Sequence, residues 1–328
     1  MFLTIILFIT GFALLIKGAD IMVDGSSSIA KRYGISTFVI GLTIVAFGTS
    51  APEMVVSILA SVRESSGIAL GNIIGSNISN TLLILGVSAI VAPLVVKKAT
   101  VNKEIPFSLL AVFALIFLAN DIFIDRDAPN GLTRIDGLIL ILFFIIFIYY
   151  TFGISKEKEN RLTKIAGAIK GEQDPKEYSI LKSSLMIIIG LAGLIIGGRW
   201  IVNGAVELAM FFGLSETLIG LTIVAVGTSL PELATSAMAA YRGKTDLAVG
   251  NVVGSNIFNI LWVLGISSTI NTIGYNASLN IDMIILIGVT ILLLILIYVG
   301  KRNVIGRWEG ATLVSIYIFY IIYLIIRG

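Results

Sequence analysis

The most constraining feature of this sequence is an internal repeat. Residues 34–86 align without a gap on residues 213–265, at a constant offset of 179 positions. In this alignment 28 of the 53 positions are identical. Each copy contains one carboxylate, Glu53 or Glu232, inside a strongly apolar stretch. We therefore expect two related halves, each of which contributes one acid to a shared interior.

The composition indicates a membrane protein. The chain has 328 residues, of which 57% are hydrophobic and 13% are charged, whereas soluble proteins contain about 25% charged residues. Apolar runs of about 20 residues recur along the chain, and each is long enough to cross a hydrocarbon layer about 30 Å thick. The runs are continuous and do not alternate, which excludes a transmembrane β-barrel. We expect an all-α, polytopic protein embedded in a lipid bilayer.

The apolar runs predict ten membrane-spanning helices. The first five-helix repeat occupies residues 1–153 and the second occupies 180–328, with a polar linker at 154–179. The predicted spans are 2–23, 36–62, 68–92, 104–123, 135–153, 180–203, 215–241, 246–270, 281–299 and 309–326. Because five is an odd number, the second half enters the membrane from the opposite side, and the repeat is inverted. We expect residues 1–23 to be a span and not a cleaved signal peptide, since they lack a basic start and a small-residue cleavage site.

The distribution of positive charge predicts the orientation in the cell membrane. Loops on the side of the 154–179 linker contain 17 Lys and Arg residues, whereas loops on the opposite side contain 4. This bias predicts a cytoplasmic linker and extracellular N- and C-termini. The remaining two cations, Lys17 and Arg199, lie within spans, where each could be a counter-charge or an interface anchor.

Two residue types are absent, and their absence excludes several functions. The chain contains no cysteine and no histidine. Disulfides, thiolate metal sites and cysteine nucleophiles are therefore impossible, and the usual zinc ligand and near-neutral proton carrier are missing. There is no basic stripe interleaved with aromatic residues, so we expect no nucleic acid partner. We also expect no cofactor, and the oligomeric state is not predictable.

The motif G-T-S-x-P-E occurs in the second and seventh predicted spans and predicts a break in each helix. Pro52 and Pro231 lack an N–H and disturb the preceding turn. The break is expected to free backbone carbonyls near four residues: Ala46, Thr49, Ala225 and Thr228. Four hydroxyl side chains lie beside them: Thr49, Ser50, Thr228 and Ser229. With Glu53 and Glu232 these groups form an all-oxygen set, which hard cations such as Ca²⁺ and Na⁺ prefer.

The same motif could instead only kink a helix for packing, as Gly and Pro often do in membrane helices. However, a carboxylate at mid-membrane costs several kcal/mol unless it is paired or solvated. Two copies at matched depth in an inverted repeat therefore favour a cation site.

The second repeated motif, G-N-x-x-G-S-N-I-x-N, predicts a helix with a polar face. Its small residues, which we expect to allow close helix approach, are Gly71, Gly75, Gly250 and Gly254. Its polar residues follow at a spacing of four and share one face: Asn72, Ser76 and Asn80 in the first copy, and Asn251, Ser255 and Asn259 in the second. We interpret Asn72 and Asn251 as interhelical hydrogen-bonding residues. The others, Ser76, Asn80, Ser255 and Asn259, are predicted to line an ion cavity.

Three acids near the ends of predicted spans have a simpler interpretation. Asp20, Asp24 and Glu207 are expected to reach the interface or to pair with other polar groups.

The two motifs, present twice in inverted halves of five spans, resemble those of the cation/calcium exchanger superfamily, and most of all those of prokaryotic sodium/calcium exchangers. The resemblance implies a ten-helix antiporter that exchanges three Na⁺ for one Ca²⁺, with the first and sixth spans sliding as a gate. It implies that Ca²⁺ binds between Glu53 and Glu232, aided by the carbonyls of Thr49 and Thr228. It also implies that Na⁺ occupies flanking positions built from Ala46, Ser50, Ser76, Ala225, Thr228, Ser229 and Ser255.

One departure from the superfamily bears on ion selectivity. Some relatives carry Asp at the position of Asn259, and in potassium-dependent relatives that Asp is linked to potassium use. Here both Asn80 and Asn259 are amides, so we expect no K⁺ dependence. The G-N-x-x-E signature of proton-coupled relatives is also absent.

Three other functions compete with sodium/calcium exchange. A cation/proton antiporter could use the same glutamates, since it needs no histidine. A cation channel is less consistent with broken helices in an inverted repeat. Intramembrane hydrolysis by the two glutamates is conceivable, but we do not expect an enzyme.

Overall fold

The computed structural model describes residues 2–97, 100–121, 130–162, 177–211, 225–299 and 303–327. Within these ranges the chain is almost entirely helical. The helices are α1 (Phe2–Tyr33), α2 (Thr37–Ile40), α3 (Ala46–Thr49), α4 (Ala51–Val62), α5 (Ser66–Ser79), α6 (Leu85–Val91), α7 (Ile105–Ala119), α8 (Arg134–Leu162), α9 (Ile180–Phe211), α10 (Ala225–Thr228), α11 (Leu230–Tyr241), α12 (Thr245–Phe258), α13 (Gly265–Ile270), α14 (Asn280–Val299) and α15 (Arg307–Arg327). Wider π-helical turns occupy Gly41–Val45, Asn80–Ile84, Thr100–Glu104 and Asn259–Leu264, and a 3₁₀ turn occupies Ala277–Leu279.

The membrane-spanning segments follow the predicted pattern. In the described part of the chain, 8 helical segments are long and apolar enough to cross a bilayer. A ninth, bent span consists of Thr37–Thr49 and Ala51–Val62, which meet at 48°. These nine correspond to predicted spans. The predicted seventh span, 215–241, is described only from Ala225 onward, so the full ten-helix arrangement stays a prediction.

Three helices run past their predicted ends. α1 continues from residue 23 to Tyr33, α8 from 153 to Leu162, and α9 from 203 to Phe211. In α1 the extension contains serines that are satisfied within the protein: Ser27 donates to the carbonyl of Val23 at 2.7 Å, and Ser28 accepts from the N–H of Tyr178 at 2.9 Å. The apolar run therefore ends before the helix does.

The structure also contains two short antiparallel strand pairs, which the all-α prediction missed. β1 (Leu94–Val95) pairs with β4 (Val304–Ile305), and β2 (Gly131–Leu132) pairs with β3 (Ile273–Gly274). The pairing satisfies backbone polar groups where helices end. Each pair joins a strand of the first half to a strand of the second, so the connectors link the two halves.

α1 and α9 pack against each other through glycines. A Cβ atom on Gly18 would lie 2.7 Å from the carbonyl oxygen of Gly190, and one on Gly197 would lie 2.7 Å from that of Gly11. Such spacing brings two helix backbones into direct contact. Gly11 and Gly190 occupy equivalent positions of the two halves, as do Gly18 and Gly197, so the contact is reciprocal.

Ion pairs connect α1 to the turn before α12. Asp20 pairs with Arg242, and Asp24 pairs with Lys244 at 3.6 Å. The expectation that these two acids pair with other groups is confirmed. Near the C-terminal end of α9, Glu207 accepts a hydrogen bond from the hydroxyl of Thr4 at 2.7 Å.

Candidate cation site

Both carboxylates stand in the first turn of a helix that begins at a bend. Pro52 lies at the start of α4 and Pro231 at the start of α11, where a missing N–H has no intrahelical partner to lose. Glu53 and Glu232 follow directly. The N-terminal end of a helix carries partial positive charge, so each bend places an acid where the backbone dipoles stabilise it.

The two acids are buried and are bonded across the repeat. Glu53 and Glu232 are each 1% exposed. The hydroxyl of Ser50 donates to Oε1 of Glu232 at 2.8 Å, and the hydroxyl of Ser229 donates to Oε1 of Glu53 at 3.3 Å. Because Ser50 and Ser229 are equivalent positions, each half supplies a hydroxyl to the carboxylate of the other. The bends thereby bring the two predicted halves of the site together.

Each carboxylate retains one oxygen for another ligand. Among the described residues, Oε2 of Glu53 and Oε2 of Glu232 have no hydrogen-bond partner, and no Lys or Arg forms an ion pair with either acid. Two buried carboxylates without a cation are costly in a membrane interior. This donor set fits one divalent cation, which would neutralise both charges.

Other predicted hydroxyls surround the acids. Ser76 is 3.5 Å from Oε1 of Glu53, and Thr228 also lies beside that carboxylate. Ser255 is 2.9 Å from the hydroxyl of Ser50 and lies beside Glu232 with Thr49. The Thr49 hydroxyl also contacts Oδ1 of Asn251 at 3.2 Å.

The prediction that the bend frees the carbonyl of Ala46 is wrong. That carbonyl accepts the N–H of Ser50 at 3.0 Å, because the chain keeps one α-helical bond before it bends. The Thr49 hydroxyl also donates to this oxygen at 3.4 Å, and its contact with a cation stays a prediction. Ala225 begins α10, and its side chain lies outside what the structure describes.

The predicted amides form a separate network beside the hydroxyls. Asn80 donates to Oδ1 of Asn256 at 3.0 Å, and Asn259 donates to Oδ1 of Asn77 at 3.1 Å. Among the described residues, Oδ1 of Asn80 and Oδ1 of Asn259 have no hydrogen-bond partner. Both residues begin a π-helical turn, a feature common at functional sites.

Asn77 and Asn256 were not among the predicted site residues. They fall one position past Ser76 and Ser255, off the face that a spacing of four defines. Their conservation between the two copies was the available signal, since both copies read G-S-N-I. They hold the predicted amides in place across the repeat.

The remaining asparagines of the second motif and two of its four glycines, Gly250 and Gly254, act in packing. Asn72 donates to the carbonyl of Glu53 at 3.2 Å, and Asn251 donates to the hydroxyl of Ser236 at 2.9 Å, which confirms their interhelical role. A Cβ atom on Gly254 would lie 2.4 Å from the carbonyl of Leu42, and Gly250 makes a similar approach. No described residue lies within 4 Å of a Cβ on Gly71 or Gly75, and the positions equivalent to their expected neighbours, 217 and 221, lie outside the described residues.

Paired helices from two halves, broken around buried acids, are features of membrane transport proteins built from inverted repeats. The comparison with known families makes this specific. The chain belongs to the sodium/calcium exchanger protein family, which it matches over residues 3–153 and 182–326.

Individual relatives cover almost the whole chain. It is 37% identical over 323 residues to the putative antiporter CaxA of Alkalimonas amylolytica, covering 98% of each chain. It is 33% identical over 343 residues to the sodium/calcium exchanger MaX1 of Methanosarcina acetivorans, covering 97% of each. A structure of the sodium-calcium exchanger NCX_Mj, soaked with zero Na⁺ and Ca²⁺, superimposes with a TM-score of 0.80 at 35% identity and covers 98% of this chain and 99% of that one.

Proposed function

We propose that this chain is a secondary antiporter that exchanges Na⁺ for Ca²⁺ by alternating access at a site between Glu53 and Glu232. One observation carries the proposal: two buried acids of opposite halves are bonded across the repeat, and each keeps one unpartnered oxygen among the described residues. Membership of the exchanger family supports Na⁺ and Ca²⁺ as the two transported ions.

Competition for the two acids provides the coupling. A single Ca²⁺ neutralises both carboxylates, and several Na⁺ can do the same with the help of hydroxyl and carbonyl oxygens. An empty site leaves two buried like charges. The unloaded carrier therefore changes poorly between the conformations that open the site to one side or the other. Only loaded carriers then change the side on which the site opens, and the flux of one ion requires that of the other.

The resemblance to the exchanger superfamily implies the ligands for the two ions. Ca²⁺ would bind between the carboxylates with the carbonyls of Thr49 and Thr228. Na⁺ would occupy flanking positions formed by Ala46, Ser50, Ser76, Ala225, Thr228, Ser229 and Ser255. Asn80 and Asn259 would contribute neutral amide oxygens. The same resemblance implies a ratio of three Na⁺ to one Ca²⁺, which is the proposed stoichiometry.

The protein would work in the cell membrane with its 154–179 linker in the cytoplasm and its termini outside. This orientation is supported by the excess of Lys and Arg on the linker side, 17 against 4.

Transport by purified protein in liposomes tests the proposal. Vesicles loaded with Na⁺ should accumulate radioactive Ca²⁺, whereas an imposed K⁺ gradient or pH gradient alone should not drive uptake. Glu53→Gln and Glu232→Gln each remove one charge at nearly constant volume, and both should reduce Na⁺-driven uptake to background.

Glu64→Gln is the matched control, because Glu64 is an exposed acid of the same half and its loss should leave uptake unchanged. Folding of all three variants is checked by their elution as monodisperse protein in detergent. Uptake that persists in both site variants would overturn the site. Uptake driven by a pH gradient without Na⁺ would instead favour a cation/proton antiporter.

A further inference from the structure

A cavity beside the site is lined by an arginine, Arg199, that the proposed function leaves without a role. The cavity has a volume of about 430 Å³, and its walls include Pro52, Val55, Arg199, Asn203 and Pro231. Thr228, which lies beside the carboxylate of Glu53, also contributes to its wall. The cavity therefore adjoins the site, and we interpret it as an entrance whose wall includes Arg199.

The entrance lies on the side of the protein opposite the linker. α9 begins at Ile180, next to the linker, and both Arg199 and Asn203 belong to its second half. Val55 lies on α4 beyond the bend, on the way to the exposed Arg63. Under the predicted orientation this is the extracellular entrance.

Among the described residues that line the cavity, Arg199 is the charged one. Its side chain is exposed, and among the described residues no acid forms an ion pair with it. The next charge along the same face of α9 is Glu207, two turns away, whose Oε2 accepts from the Thr4 hydroxyl.

The other half carries the opposite charge at the equivalent position. Residue 20, which is 179 positions before Arg199, is an aspartate. Asp20 pairs with Arg242 at the linker end of α1, whereas the position equivalent to Arg242 is the exposed Arg63. The repeat thus preserves the acids of the site but carries opposite charges at positions 20 and 199.

We propose that Arg199 is a selectivity-determining residue of the entrance opposite the linker, where its charge raises the KM for Ca²⁺ more than the KM for Na⁺. This inference rests on the proposed function. A positive potential lowers the local concentration of a cation by a Boltzmann factor whose exponent scales with the ion's charge. The factor by which the local Ca²⁺ concentration falls is therefore the square of the factor for Na⁺. The charge leaves the transport equilibrium unchanged, since the two gradients fix it, but it sets the bulk concentration at which each ion loads.

The size of the effect follows from Coulomb's law. A unit charge at roughly 10 Å in water, at low ionic strength, changes local Na⁺ about two-fold and local Ca²⁺ about four-fold. Arg199→Gln should therefore lower the KM for Ca²⁺ on this side about four-fold, and Arg199→Glu about sixteen-fold. The KM for Na⁺ should fall about two-fold and four-fold. Arg199→Lys keeps the charge and should keep both values.

Vesicles of opposite orientation isolate the effect on one side. Initial rates of Ca²⁺ uptake, and their inhibition by Na⁺ outside the vesicle, are measured in right-side-out and inside-out membrane vesicles at low ionic strength. The expected result is a shift in right-side-out vesicles only, which shrinks when an impermeant salt is raised to 1 M, where the Debye length is about 3 Å. Arg134→Gln removes an exposed arginine of the same predicted side that is outside the cavity, and it should shift nothing.

The outcomes separate this inference from the proposed function. A parent chain without Na⁺-dependent Ca²⁺ flux would remove the function itself. Flux with no change of KM in Arg199→Gln and Arg199→Glu would overturn the role of Arg199 alone. Equal changes for Na⁺ and Ca²⁺, or equal changes in both kinds of vesicle, would also overturn it, because an altered fold and not a local charge would produce them.

Discussion

At the scale of single residues, the two cross-repeat hydroxyls differ in the strength of their bonds. Ser50 donates to Glu232 at 2.8 Å, whereas the distance from Ser229 to Glu53 is 3.3 Å. A hydrogen bond to a charged group contributes about 1.5–3 kcal/mol, and the shorter bond should lie toward the upper end. We therefore expect Ser50→Ala to lower the stability of the ion-free protein by more than Ser229→Ala does.

Thermal unfolding of purified protein in detergent, with Na⁺ and Ca²⁺ removed, measures this difference. Ser315→Ala is the control, because Ser315 is exposed and donates only to the carbonyl of Ala311 in its own helix, so its loss should change stability by less than about 0.5 kcal/mol. Equal unfolding temperatures for Ser50→Ala and Ser315→Ala would show that the bond to Glu232 does not stabilise the site.

The sequence predicts a site residue well when its type is unusual for its surroundings. It predicts poorly a residue whose role depends only on where the fold places it. Glu53 and Glu232 stand out as acids in apolar spans, and their neighbouring hydroxyls follow from the motif. The partners Asn77 and Asn256 do not, because they lie one position off the predicted polar face of each helix. Their role depends on which residues of the other half they meet, and a helical spacing does not give that.

At the scale of elements, α1 and α9 form a pair whose contact depends on glycine. Gly18→Ala would place a Cβ 2.7 Å from the carbonyl oxygen of Gly190, and the two backbones would have to separate. Overpacking of this kind costs about 1–3 kcal/mol. We expect a lower unfolding temperature and slower Na⁺-driven Ca²⁺ uptake, since these two helices correspond to the spans that are predicted to slide together.

Gly288→Ala provides the comparison for this change. No described residue lies within 4 Å of a Cβ at Gly288, which is in the interior of α14, and alanine is favoured over glycine in a helix by about 0.5–1 kcal/mol. This variant should be at least as stable as the parent and equally active. If Gly18→Ala behaved in the same way, the two helices would not need their close contact.

The elements also show why predicted boundaries fail. Hydropathy detects where apolar residues stop, and α1 continues for ten residues after that point because Ser27 and Ser28 find partners inside the protein. The two strand pairs were invisible for a different reason. Each strand has two residues, which is too short for an alternating pattern.

At the scale of the whole molecule, the repeat predicts the architecture because symmetry relates distant parts of the chain. The 179-residue offset makes Ser50 equivalent to Ser229 and Glu53 equivalent to Glu232, so the bond of Ser50 to Glu232 has a counterpart between Ser229 and Glu53. The offset cannot show where the halves differ in function. The structure reveals that difference. Arg199 lines a cavity on the side opposite the linker, whereas Asp20 forms an ion pair with Arg242 on the linker side.

Exchange of three Na⁺ for one Ca²⁺ has a consequence that only the whole molecule in a sealed membrane can show. When Ca²⁺ enters a Na⁺-loaded vesicle, three positive charges leave and two enter, so each cycle moves one positive charge outward. A potential of 100 mV acts on one charge with about 2.3 kcal/mol, which corresponds to about a fifty-fold change in the Ca²⁺ ratio at equilibrium. An inside-positive potential should therefore increase Ca²⁺ accumulation about fifty-fold per 100 mV, and an inside-negative potential should reduce it equally. The potential is set with valinomycin and K⁺ gradients, after confirming that K⁺ alone drives no uptake. Accumulation that ignores the potential would indicate an electroneutral exchange of two Na⁺ for one Ca²⁺ at the same pair of carboxylates.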